Sequence, residues 1–309
     1  NAGLHGDTCV KSFQGDVLGY VTPWNGRGYE AAKLFRRKFS MIAPVWYQIR
    51  RNEDEDAILT GAHDVDQNWM QEVKGNDGLG PKIVPRIVFE MNWLNGNDVK
   101  KIVQLVKEEV KTREFDGIVL EIPVVEITVD LIQKLGKAMK KMNCILVFVL
   151  PTSQRDVMME LFAIDCNCTR WQSYLGFILY RVMPNVDRFS VNAYDYSSSG
   201  PNAPLPWLEA TLSQLTPPSK FMMGLAFYGY DTNEAVIGNK YLELLKEYKP
   251  EIQWDSQAHE CFFEYGNKRK VYYPCLPSIQ ERLDLYAKNG FGAVIWEIGQ
   301  GLDYFFDLL

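Results

Sequence analysis

From Gly117 to Pro123 the chain reads Gly-Ile-Val-Leu-Glu-Ile-Pro, an apolar run broken by a single carboxylate at Glu121. Such a run predicts a buried strand, and alternation along a strand points Val119, Glu121 and Pro123 the same way. The strand's end holds Pro123, which carries no titratable group. Aromatic and acidic residues recur at other predicted strand ends: Tyr20 and Trp24, Trp46 and Tyr47, Glu90 and Trp93, Tyr194-Asp195-Tyr196, Phe227-Tyr228, and Trp296-Glu297. Sugar rings stack their apolar faces on aromatic side chains, and their hydroxyls pair with carboxylates and phenols. A rim of this chemistry fits a carbohydrate groove, although any one of these rings, Trp46 and Trp93 above all, is equally at home in a core.

The elements that must position these residues alternate along the chain. Strands are predicted at Val17–Thr22, Met41–Tyr47, Ile83–Glu90, Gly117–Ile122, Cys144–Leu150, Phe189–Asp195, Phe221–Phe227 and Phe291–Glu297. Amphipathic helices are predicted at Tyr29–Phe39, Val65–Val73, Asp98–Thr112, Val125–Met142, Leu205–Leu215 and Ser278–Lys288, with another somewhere within Asp165–Met183. Asn97 and Ser278 read as N-caps. Eight continuously apolar strands, each followed by a helix, predict an α/β fold, a closed (β/α)8 TIM barrel. An open doubly wound sheet is the competitor, but Gly19-Tyr20-Val21-Thr22-Pro23-Trp24 after the first strand offers no phosphate-binding glycine loop. Residues 1–16 form an N-terminal extension and 17–309 the barrel. A small α+β insertion, about residues 230–275, stands between the seventh strand and its helix as a cleft wall.

Composition narrows the function. With 309 residues and 47% hydrophobic content the chain can build one large core. A net charge of -6 and a pI near 5.3 argue against nucleic acid, and runs such as Arg36-Arg37-Lys38 read as solvated faces. No apolar run approaches the ~20 residues of a membrane span, and Asn1-Ala2-Gly3-Leu4-His5 reads as the start of a processed or trimmed chain. Nothing calls for a metal or an organic cofactor, and three His are too few to make a zinc site of six Cys. Cys261 and Cys275 flank a predicted aromatic hairpin that would bring them together as a disulfide. Cys144 reads as a core thiol, while Cys9, Cys166 and Cys168 leave a further pairing open. Asn167-Cys168-Thr169 is a glycosylation sequon, relevant in the secretory route.

The strand motifs resemble those of family-18 glycoside hydrolases, the chitinases. Their fourth-strand pattern is Asp-Gly-x-Asp-x-Asp-x-Glu; Asp116 and Gly117 match it, while Val119, Glu121 and Pro123 stand at the middle Asp, the last Asp and the proton-donating Glu. Gly19-Tyr20 with Trp24 is similar to the first-strand motif, Ala193-Tyr194-Asp195-Tyr196 to the sixth, Gly224-Leu225-Ala226-Phe227-Tyr228-Gly229 to the seventh, and Gly292-Ala293-Val294-Ile295-Trp296-Glu297 to the eighth. Within the family the likeness is greatest to the stabilin-interacting chitinase-like group, carried by Val17–Asn25, His63–Gln67, Gly200–Leu205, Trp254–Ala258 and Trp296–Phe305. The resemblance implies a secreted or lysosomal lectin for chitooligosaccharides, with bacterial lipopolysaccharide as a further ligand and a scavenger receptor as partner. It also implies that Trp296 floors the subsite of the reacting sugar, and that Tyr194 and Glu121 stand where the family holds the acetamido group.

Three readings follow. In the first, Tyr20, Trp24, Trp46, Trp93, Glu121, Tyr194, Asp195, Tyr228, Trp296 and Glu297 bind sugar, no residue is catalytic, and the protein is not an enzyme. In the second, Glu121 or another rim carboxylate serves as a relocated acid in a weak hydrolase. Glu121 lies roughly 6–7 Å deeper than position 123, its extra methylene adds about 1.5 Å, and a general acid must come within about 3 Å of its target, which disfavours that reading. In the third, the cleft is vestigial and the chain is a protein-interaction scaffold. Glu121 is also open to a structural role, a buried carboxylate bonded to Tyr20 or Tyr194.

Overall fold

The computed structural model describes residues 4–151 and 179–309. Cys166, Cys168, the Asn167 sequon and most of the helix expected within 165–183 lie outside the described residues. In chain order the elements are β1 (Val17–Val21), α1 (Gly26–Leu34), β2 (Met41–Pro44), β3 (Tyr47–Arg51), β4 (Ala57–Thr60), α2 (Gln67–Lys74), β5 (Lys82–Ile83) and β6 (Arg86–Phe89). Then come α3 (Gly96–Arg113), β7 (Gly117–Glu121), α4 (Glu126–Lys141), β8 (Ile145–Pro151), β9 (Arg188–Asn192), α5 (Leu205–Leu212) and β10 (Phe221–Ala226). The rest are β11 (Gly229–Asp231), β12 (Glu234–Val236), α6 (Gly238–Tyr248), β13 (Gln253–Asp255), β14 (Glu260–Tyr265), β15 (Arg269–Tyr272), α7 (Leu276–Asn289) and β16 (Gly292–Trp296).

The main sheet runs β4-β3-β6-β7-β8-β9-β10-β16-β1-β2-β5. β2 and β3 are one strand interrupted at Val45-Trp46, and β5 and β6 are one interrupted at Val84-Pro85. Across the interruptions the ladder continues, with Val45 N–H to Val21 O at 2.8 Å, Val84 N–H to Ile42 O at 2.9 Å and Val119 N–H to Pro85 O at 2.9 Å. The two ends of the list therefore meet, and eight parallel strand positions close as a (β/α)8 barrel. Leu18, Met41, Val84, Val119, Val147, Met222 and Val294 form a core cluster of their own, distinct from the larger one that includes the helices. Each sits at an inward position of its strand, so this smaller cluster is the packed barrel interior. The outward residues bury against helices such as α4, whose Val129, Ile132, Leu135 and Met139 recur at helical spacing.

Asp116 and Gly117 hold β7 in place. Asp116 Oδ2 accepts from Ile83 N–H at 2.8 Å and pairs with Lys74 Nζ at 2.8 Å. A Cβ at Gly117 would lie 2.1 Å from Ile145 O on β8, so only glycine permits this strand contact. Both expected caps are corrected. α3 is capped by Asn95, whose side chain accepts from Asn97 and Asp98 N–H, and α7 begins after Cys275, with Ser278 inside its first turn. β4 was not expected; it folds back antiparallel on β3 through the charged turn Asn52–Asp56.

After β10 the chain builds a five-stranded sheet of order β12-β11-β15-β14-β13, with α6 between β12 and β13, before returning to the barrel at α7. Cys261 and Cys275 form a disulfide with Cα atoms 6.1 Å apart. It joins the start of β14 to the start of α7, fastening this insertion to the barrel wall. Cys9 and Cys144 are free thiols, Cys144 half-buried beside Phe115 O.

Candidate functional site

The C-terminal mouth of the barrel brings together Tyr20, Glu121, Tyr194, Asp195, Tyr228 and Trp296, with one residue the sequence reading missed, Arg86. Tyr20 and Trp296 end neighbouring strands and pack with ring centroids 5.1 Å apart. Tyr20 is fully buried, and its hydroxyl shares a 3.0 Å hydrogen bond with Ser190; burial pushes its phenol well above the usual range. Trp296 keeps partial exposure at the mouth. Its peptide bond to Glu297 is cis.

Arg86 begins β6 in register with Val119, one rung below Glu121. Its long side chain reaches up, so that Nε donates to Glu121 Oε2 at 2.6 Å and Nη2 donates to the same oxygen. Its guanidinium also lies 5.3 Å from the Trp296 ring centroid, within the reach of a cation–π contact. Glu121 is thus neither bonded to Tyr20 nor to Tyr194, as its structural alternative required; it is the acceptor of a guanidinium pair. Pro123 is exposed two residues further on.

The opposite wall is built from β9, β10 and the insertion. Asp195 is exposed at a positive φ of 61°, a conformation fixed by Asn202 Oδ1 accepting its N–H at 2.7 Å. Two phenols converge on Asp195 Oδ1: Tyr228, and Tyr230 at 2.6 Å. Burial, reinforced by that carboxylate, raises the Tyr228 phenol far above its usual range and pushes Tyr230 up to about 12. Tyr194 stands against Tyr228 with centroids 6.3 Å apart and donates to Asn192 Oδ1 at 3.0 Å. Asn202 is itself held by Glu260, which accepts from its N–H at 2.9 Å and pairs with Arg282 at 3.2 Å. A buried polar chain therefore runs from α7 through the insertion to the mouth.

The remaining expected residues fall elsewhere. Trp46 is not a sugar platform: it is fully buried, donates to Tyr29 Oη at 2.7 Å and packs on Trp69 and Phe115 outside the barrel. Glu297 is likewise withdrawn. It has no exposed surface, and its carboxyl accepts from Asn25 Nδ2 at 2.7 Å and Gly299 N–H at 3.0 Å. Burial raises it to about 7, only partly offset by those two donors. Trp24 stands 73% exposed in the loop after β1. Trp93 follows β6 with one face covered by the Arg51 guanidinium, 3.3 Å from its centroid. Tyr47 and Phe227 are core, and Glu90 pairs with Arg50 at 2.6 Å. Among the described residues no group of three His, Cys, Asp or Glu is placed to hold a metal, and no helix is long and apolar enough to cross a membrane.

A barrel with its charged and aromatic residues at the C-terminal mouth invites comparison with sugar hydrolases. The sequence profile of the glycosyl hydrolases family 18 matches residues 91–301. The chain belongs to that family. Solved chitinase structures overlay nearly all of it. A chitinase from Chromobacterium violaceum has a TM-score of 0.76 at 18% identity, covering 94% of this chain and 96% of that one. A class V chitinase from Pseudomonas fluorescens Pf-5 gives 0.77 at 18%, covering 94% and 97%. The family-18 chitinase of Cycas revoluta in complex with (GlcNAc)3 gives 0.73 at 13%, covering 94% and 97%. At these identities the likeness is one of fold.

Arg86 had a signal in the sequence. It falls in the inward phase of its strand with Val84 and Val88, and a cation inside a barrel must be paired. Glu121 was the nearest inward carboxylate on the next strand. Tyr230 had no comparable signal, because the folded insertion brings it to Asp195; Asn202 lies in the same loop as Asp195 and is seated there by Glu260 of β14.

Proposed function

We propose that this chain is a glycan-binding member of family 18 that holds chitooligosaccharides across the barrel mouth and does not cleave them. The observation that carries the reading is the state of β7. Its end bears Pro123 in place of a proton donor, and its one inward carboxylate, Glu121, is bound to Arg86. A positioned general acid contributes about 10²- to 10⁴-fold in rate, and nothing at this strand end replaces it. What remains is a surface suited to gripping a sugar: the partly exposed indole of Trp296 and the Asp195 carboxylate braced by two phenols. The (GlcNAc)3 bound by the Cycas enzyme supports the choice of ligand class.

The likeness of sequence to the chitinase domain-containing protein 1 (stabilin-interacting chitinase-like) group supports the same reading. It extends it to lipopolysaccharide as a ligand and a scavenger receptor as partner. The Cys261–Cys275 disulfide supports an oxidising setting, either secreted or lysosomal. The test is a titration with chitotetraose followed by tryptophan fluorescence. A saturable change that is lost in Trp296→Ala is expected; no response at millimolar sugar opposes the reading.

A further inference from the structure

We infer that Arg86 is the positioning residue of this glycan site, fixing the Glu121 carboxylate and the Trp296 indole to one another from below. The inference rests on the glycan-binding reading and adds to it the part that presets the pocket. Three observations carry it. The side chain of Arg86 is only 13% exposed, so it lies under the surface a ligand would meet, while that of Glu121 is 35% exposed and open to the mouth. Both guanidinium donors fall on Oε2, which leaves Oε1 without a hydrogen bond among the described residues. The same guanidinium stands within cation–π distance of Trp296.

The geometry follows from the register. A short residue at position 86 would end one rung below Glu121; only a long side chain spans from β6 to both the end of β7 and the end of β16. A planar guanidinium serves two partners at once, one through its N–H edge and one through its ring-facing surface. The pocket is then preorganised: a sugar ring stacking on Trp296 finds an acceptor at Glu121 Oε1 already in place, with no side-chain ordering left to accomplish on binding. The ligand group suited to Oε1 is a donor, a hydroxyl or an amide N–H.

The experiment measures chitotetraose affinity by calorimetry and the near-ultraviolet circular dichroism of Trp296, taken as the difference from Trp296→Phe. The proteins are wild type, Arg86→Met, Arg86→Lys, Glu121→Gln and the double variant Arg86→Met/Glu121→Gln. Arg86→Met should weaken binding about 10- to 100-fold, the range of one charged hydrogen bond, and collapse the Trp296 signal. Arg86→Lys should recover part of the affinity but not the signal, because an ammonium lacks the planar face. The double variant should bind no worse than the weaker single one, since the two residues act as a unit. Arg86→Met leaves Glu121 without its cation and risks unfolding; the double variant, which carries no stranded charge, then reads the same loss. Wild-type affinity and an unchanged Trp296 signal in folded Arg86→Met overturn the inference and leave glycan binding standing. Absence of binding by the wild type overturns the glycan reading itself.

Discussion

Glu297→Gln should remove a pH dependence of stability that the native chain carries from acid into neutral solution. The carboxyl has no exposed surface, and burial raises it from 4.5 to about 7. Between those values the folded chain holds a proton that the unfolded chain has released. The stabilisation tied to that proton is complete below about pH 4.5 and is lost as the pH rises through about 7. A gap of roughly 2.5 pH units at about 1.4 kcal/mol each amounts to about 3.5 kcal/mol, of which about 3 kcal/mol falls between pH 4 and pH 8. No solvent discount applies to a fully enclosed group. Glutamine keeps the shape and can accept from Gly299 N–H, while Asn25 turns its amide to present oxygen to the new NH₂. Urea unfolding at 25 °C from pH 4 to pH 8 measures the effect. Subtracting the variant's curve cancels the other carboxylates, and the difference should fall by about 3 kcal/mol toward alkaline pH. A flat difference curve, or one that rises, refutes the argument from burial.

Trp46→Ala should destabilise by about 3–5 kcal/mol as a large core truncation while leaving the sugar affinity of the folded protein unchanged. Trp296→Ala should do the reverse, and paired urea melts and titrations separate the two. Pro123→Glu returns a carboxyl to the end of β7 but should not yield sustained turnover of an aryl chitooside, because Val119 offers no carboxylate and Glu121 stays bound to Arg86. Steady hydrolysis by that single variant contradicts this. Cys275→Ser opens a link between residues 14 apart in sequence, which loop entropy values at about 3 kcal/mol. Urea melts of the variant, and of the native chain with and without reductant, check the figure.

The barrel was legible because its strands are apolar without alternation, which marks burial on both faces. Strand phase also settles two residues that a list of strand ends mistook. Met41, Ala43 and Val45 point inward, so Trp46 must point out, and the interruption at Val45-Trp46 seats it under α2 beside Trp69. Val294 and Trp296 point inward, so Glu297 turns away from the mouth and into the β1–α1 loop. The same alternation applied to β6 leads to Arg86. Asp195 needed more than a sequence holds, because its conformation depends on Asn202 and its Oδ1 is held by hydrogen bonds from Tyr228 and Tyr230. The Tyr230 contact arises only once the insertion has docked, which also brings Glu260 to Asn202. The helix caps were misplaced for a local reason: Asn95 and Asn97 are both plausible at that boundary, and hydrogen bonding selects the first.

Turnover bears most directly on the central claim. Purified protein is incubated with chitotetraose at a concentration that saturates the fluorescence change, and the mixture is followed by mass spectrometry for shorter oligosaccharides. Occupied sites with the tetramer intact over many hours is the expected result. Products in molar excess over protein, abolished in Glu121→Gln, would show that the mouth cleaves what it binds.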